Sequence, residues 1–355
     1  MGDSSRGTVS GRGMVRILRR LLCFTGLLVI VCTGNALCAG ELPIQADPFE
    51  IRDRIAADPG FDVAALWRDL GISPELHTVY GRVGIQPVSP ALFDTCEDCA
   101  AEVHEEAFGP LGTGIILKVY RPWGYCRFLV FLPLRDAPAD RSRWRFIGHA
   151  DHDFARHFMP GYRIETTGEA TYLVMIAQGL TGTGVSLDYE RWYEVSAAGM
   201  NEVLSLPVRG HECPDDVSLC RSFEATVLPG RSTVRRLEVA FTVTYHGNRF
   251  LLEGSSREEV RLFSRRQQAI FVREGPLRDF TLSPRDPESA ITMDEIRSVF
   301  SVGTMTCNDF IRFNTEELAR LASGPDSESR DWLRAYLLSC EPTPERDRAL
   351  GFFTR

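Results

Sequence analysis

The chain is 355 residues long, 44% hydrophobic and 25% charged, with a formal net charge of −8, enough for one large domain with a satellite or for two domains. Its acidic balance repels phosphate backbones and anionic lipid, so nucleic acid is excluded as a partner class. Lys118 is the single lysine; a GxxxxGK[ST] phosphate loop is therefore absent, and a Schiff-base enzyme would have only Lys118 to use.

At the N-terminus, Arg12, Arg16, Arg19 and Arg20 precede an uncharged stretch from Leu21 to Gly40 that ends in the small-residue sequence Ala36-Leu-Cys-Ala-Gly40. A basic segment, an apolar segment and a small-residue cleavage site make the pattern of a secretory signal peptide, with Met14 as a second candidate start. Residues 1–39 are expected to be removed after Cys38 or Ala39. The remainder then carries 35 basic against 47 acidic side chains, a net of −12. If the stretch is retained instead, it is the one segment through which the chain would meet a membrane.

Residues 40–76 read as two short amphipathic helices, split by Pro59-Gly60 and closed at Gly71. From about His77 to Pro284 the pattern changes to short runs of β-branched and aromatic residues punctuated by Gly, Pro and Asp, such as TGIILKVYR, CRFLVFLPL, TYLVMIAQ and RRLEVAFTVTYH. The strands follow in close succession, without intervening helical patterns of a dozen residues. The expected fold class is therefore α+β, mainly β: an antiparallel meander forming a sandwich or a curled sheet. In that body Lys118 is expected at an edge or outward position, and the glycines of Gly179-Leu-Thr-Gly-Thr-Gly184 are expected to turn a hairpin rather than cradle a phosphate.

Residues 285–355 turn helical. Thr292-Met-Asp-Glu295 and Asn314-Thr-Glu-Glu317 both read as capping boxes, and a further helix is expected from about Glu328 to Cys340, so that Cys307 and Cys340 would staple a small helical appendage. MTCNDFIRF, followed 33 residues on by the second cysteine, resembles the disulfide-stapled helical proteins of the periplasm, including the HdeA-like acid-stress chaperones. WRFIGHADHDF and GTGVSLDYERWYEV resemble uncharacterised exported bacterial proteins. These resemblances imply an exported protein with a helical C-terminal segment, and no particular activity.

Seven cysteines follow the signal segment: Cys96, Cys99, Cys126, Cys213, Cys220, Cys307 and Cys340. Export favours disulfides. Cys213 and Cys220 flank a short polar loop that a bridge would close, and Cys96, Cys99 and Cys126 offer three sulfurs for one bond, leaving one thiol free. The AAEVHEEAF segment after Cys96-Glu-Asp-Cys99 reads as a helix, whose N-terminus would favour a thiolate. A redox pair is thus a third functional reading, against a structural clasp or a bond to Cys126.

His149, Asp151, His152 and His157, with Asp153, form the densest set of ligand-type side chains, just after the strand-like WRFIG. Imidazole with carboxylate suits zinc, iron or manganese; on a strand residues 149, 151 and 153 share a face, on a helical turn 149, 152 and 153. Trp192 and Tyr193 straddle two faces of a strand, and one of them, if exposed, would form a ligand platform. No GxSxG, HExxH or EF-hand pattern occurs, and no organic cofactor is implied; a divalent metal is the cofactor these residues admit. The sequence therefore reads as an exported, periplasmic or secreted binding protein for an unidentified ligand or protein partner, with a metal-dependent hydrolase as the alternative.

Overall fold

The computed structural model describes residues 44–58, 60–72, 78–81, 84–87, 99–121, 125–134, 143–153, 161–182, 184–213, 219–248, 259–275, 278–283, 292, 294–295 and 305–354. The expected signal segment, Cys96 and His157 lie outside them. Two helices come first, α1 (Pro48–Ala57) and α2 (Val63–Asp69). Each starts on an aspartate: Asp47 accepts the Phe49 and Glu50 amides, and Asp62 accepts that of Ala65, satisfying donors that a helix start leaves unpaired.

The strands are β1 (Thr78–Gly81), β2 (Gly84–Pro87), β3 (Ala100–Ala107), β4 (Thr113–Arg121), β5 (Tyr125–Pro133), β6 (Trp144–Asp153), β7 (Gly161–Thr167), β8 (Ala170–Gly182), β9 (Val185–Ser196), β10 (Gly199–Glu212), β11 (Leu219–Val227), β12 (Arg236–Asn248), β13 (Glu259–Val272) and β14 (Thr281–Leu282). β1 and β2 form a hairpin, β3–β6 a four-stranded sheet, and β7–β14 an eight-stranded sheet, each in sequence order. All pairings are antiparallel. The expected mainly β meander is the observed architecture.

Both expected forms of it, sandwich and curled sheet, are present. Phe128, Val130 and Ile147 of the small sheet share a core with Leu173, Met175, Tyr193 and Val195 of the large one, while Ile51, Ile55, Leu66 and Trp67 of the helices cover the opposite face of the small sheet over Leu117, Leu129 and Phe131. In the large sheet, Tyr172, Trp192 and Leu206 near one side bury together with Val239, Phe241 and Phe271 near the other. The Phe280 amide donates to the Val203 carbonyl at 2.8 Å, and Arg273 Nη2 reaches Glu194 Oε2 at 2.9 Å. The sheet curls back on itself, although no strand pairing closes it among the described residues.

Two expectations need correction. AAEVHEEAF is not a helix but the edge strand β3. Alanine and glutamate favour helix locally, yet Ala101 and Val103 pack under the helices while Glu102, His104 and Glu106 alternate to the other face, and this period of two decides the outcome. Asn314 stands at the N-cap position of the next helix, as expected, but its buried side chain makes no capping bond there; its Nδ2 donates back to the Phe310 carbonyl at 2.8 Å.

That C-terminal region contains α3 (Cys307–Phe313), α4 (Thr315–Ala322), α5 (Ser327–Ser339) and α6 (Pro344–Leu350). Thr306, Asp326 and Thr343 cap α3, α5 and α6. The Cys307–Cys340 bond joins the start of α3 to the end of α5, with Cα atoms 6.2 Å apart, and Cys213–Cys220 closes the β10–β11 connection. Phe310, Leu318, Trp332 and Leu337 pack on Phe223, Val243, Tyr245 and Phe263 of the large sheet. Gly247 permits the closest approach: a Cβ there would stand 2.3 Å from the Trp332 ring.

Candidate functional site

The strand β4 is buried along Gly114–Val119, its odd-numbered residues under the helices and Ile116 in the core between the sheets. A charge within such a run has no outward face to occupy. Lys118 accordingly points toward the large sheet, opposite to the outward position expected for it, and is 9% exposed. The register sets Glu102 of β3 across from Lys118 and Tyr120 across from Cys126 of β5, placing these side chains on one face.

Lys118 Nζ lies 3.4 Å from Glu102 Oε2 and 4.7 Å from the centroid of the Tyr120 ring. Tyr120 donates its hydroxyl to Glu102 Oε1 at 2.8 Å, and His104 Nε2 stands 3.5 Å from Glu102 Oε2. From the large sheet, Tyr162 of β7 crosses to donate its hydroxyl to Glu106 Oε1 at 2.7 Å, with its ring edge-on to both Phe128 and His104. The group therefore spans the side of the sandwich where the edge strands β3 and β7 face each other. It is open there: the Glu102 side chain is 42% exposed.

Burial opposes ionisation of Glu102, but the Tyr120 hydrogen bond and the Lys118 ammonium outweigh it and hold the carboxyl below its ordinary value. The same bond to Glu102, with burial, keeps Tyr120 protonated beyond the usual phenol range. Tyr162 is pushed upward by burial and by its bond to Glu106. At neutral pH the cluster thus holds an ionised Glu102 beside two phenol donors. Cys126 lies behind it as a free, fully buried thiol; burial raises its pKa, and the attraction of Lys118 does not compensate, so no thiolate nucleophile stands there.

The residues expected to bind metal are divided by the alternation of β6. His149 and Asp151 share a face, with Nε2 3.6 Å from Oδ2. Asp151 is also clasped by Arg127, whose Nε and Nη2 donate to its two carboxylate oxygens at 2.6 and 2.8 Å, and the Arg127 guanidinium lies 4.4 Å over the Trp67 ring. His152 projects to the opposite face, where it is 3% exposed and its Nε2 accepts the Gln178 amide at 3.2 Å. It does not join His149 and Asp151 around one ion. Among the described residues no three His, Cys, Asp or Glu side chains are placed to hold a metal.

Burial first, and then the positive charge of Arg191, lower the His152 pKa from 6.5 to about 3. Between those values the unfolded chain binds the proton and the folded chain does not. The stabilising contribution is therefore complete above pH 6.5 and is lost as pH falls toward 3, at up to about 1.4 kcal/mol per pH unit. Urea denaturation from pH 7 to 4 is expected to show wild-type stability falling more steeply than that of His152→Gln. Parallel profiles would remove this assignment.

Two other expectations are corrected. Trp192 and Tyr193 do occupy opposite faces of β9, but both are buried, at 1% and 5% exposure, so neither offers a surface platform. Cys99 is disulfide-bonded and precedes a strand, and Cys126 is not its partner; the helix N-terminus that a reactive CxxC would draw on is absent. Among the described residues no helix is long and apolar enough to cross a membrane. Compared with protein-family models, with curated proteins and with solved structures, the chain matches none.

Proposed function

We propose that the protein is exported, to a periplasm or to the exterior, and acts there as a binding protein whose ligand sits at the open side of the sandwich against Glu102, Glu106, Lys118, Tyr120 and Tyr162. The observation that carries this reading is the placement of Lys118. The one lysine of the chain lies inward on a strand buried on both faces, ion-paired at an opening. An apolar residue there would avoid the desolvation cost of the charge, so an ammonium held at an opening favours recognition over stability.

Glu102 and Glu106 outnumber the single ammonium, and the chain as a whole is acidic. Both features favour a cationic ligand whose N–H groups take the carboxylate lone pairs left over by Tyr120, Lys118 and Tyr162. Export is supported by the signal-type N-terminal segment and by disulfides, which persist in oxidising compartments. Titration calorimetry with spermidine as the probe tests the site. Binding by the wild type that is weakened by Glu106→Gln and by Glu102→Gln is expected; no heat with the wild type, or wild-type affinity in both variants, would contradict it.

A further inference from the structure

Met305 leads into α3, and its sulfur is approached by donors from two different strands. Tyr245 Oη of β12 and Arg221 Nη1 of β11 each lie 3.9 Å from Sδ. Tyr245 is 1% and Arg221 5% exposed, so both donors are committed to the interior. A thioether is a weak acceptor, whereas buried hydroxyl and guanidinium groups ordinarily meet oxygen, as Arg221 Nη2 does at Glu212 Oε2, 2.6 Å away. The position between these donors suits an oxygen carried by the sulfur better than it suits the bare sulfur.

We propose that Met305 is an oxidation site for hydroperoxides, and that Tyr245 and Arg221 hold its sulfoxide. The sulfur lone pair attacks the terminal oxygen of the peroxide, the O–O bond breaks, that oxygen is bonded to sulfur and its proton passes to the departing oxygen, which leaves as water from hydrogen peroxide or as an alcohol from an organic hydroperoxide; sulfur loses two electrons and the peroxide gains them. Oxidation of a core methionine ordinarily disrupts packing by inserting a polar group. Here the new oxygen replaces a weak acceptor with a strong one on two existing donors. Met305 is only partly buried against the cluster that docks the C-terminal helices, whereas Met175 is fully enclosed between the sheets.

The test is to treat the folded protein with hydrogen peroxide, map sulfoxides by peptide mass spectrometry and measure Tm before and after. Met305 is expected to oxidise before Met175, with the Tm of the wild type unchanged or raised, while oxidised Tyr245→Phe loses Tm. Met305→Leu reports the effect of peroxide at other sites. The proposal is overturned if Met305 stays a thioether under conditions that oxidise Met175, or if oxidised wild type loses more Tm than peroxide-treated Met305→Leu.

Discussion

Replacing Trp332 by alanine is expected to cost about 3–5 kcal/mol, the range for emptying a large aromatic site in a packed core. The side chain is 0% exposed, its ring is stacked on Tyr336 at 5.3 Å, and Nε1 donates to the Asn248 carbonyl at 2.9 Å. It is the principal anchor of α5 on β12. Urea denaturation should show a lower midpoint, and amide exchange should show the loss concentrated in α3–α6. Gly247→Ala, which drives a methyl into the same ring, is expected to destabilise the same junction. A midpoint unchanged by both substitutions would mean that the helices are not seated on the sheet as described.

Arg127→Ala is expected to be of similar size, about 3–5 kcal/mol, for a different reason: it leaves the Asp151 carboxylate without its bidentate partner in a nearly dry site. The Arg127 side chain is 2% and that of Asp151 13% exposed. Lysine is a poor substitute, because an ammonium reproduces neither the two parallel hydrogen bonds nor the stacking on Trp67. The double replacement Arg127→Met with Asp151→Leu should recover most of the loss, since removing both charges also removes their desolvation. A double variant as unstable as the single one would show that the pair contributes more than mutual neutralisation.

The strands were legible where alternation was clean, as in β12, whose residues Leu237, Val239, Phe241, Val243 and Tyr245 are all buried. β10 carries Pro207, a residue that argues against a central strand; the structure accommodates it beside a register shift between Pro207 and Arg209. β6 was read only as far as Gly148, because His149–Asp153 is polar. Once the strand is seen to continue, the separation of His152 from His149 and Asp151 follows from the period of two.

The candidate site itself is assembled by contacts that spacing does not reveal. Tyr162 and Glu106 are 56 residues apart and belong to different sheets, and Arg127 meets Asp151 across 24 residues. One signal was available for Lys118. A charge inside an apolar run covered on both faces must point into the structure, and the run Gly114–Val119 is that continuous. The disulfides were easier to read, since Cys213–Cys220 spans only seven residues and Cys307–Cys340 lies within the C-terminal region expected to be helical.

The most direct measurement uses the fact that the chain has one side-chain amine. Protein exported to a bacterial periplasm would be treated with an amine-reactive reagent and the label on the Lys118 peptide followed by mass spectrometry, in the folded and urea-unfolded states and with and without spermidine. An inward, ion-paired lysine at a ligand opening predicts labelling roughly tenfold or more slower in the folded state, slower still with spermidine, and faster again in Glu102→Gln. Labelling of folded Lys118 at the unfolded rate, indifferent to spermidine and to Glu102, would contradict both its placement and the binding role assigned to it.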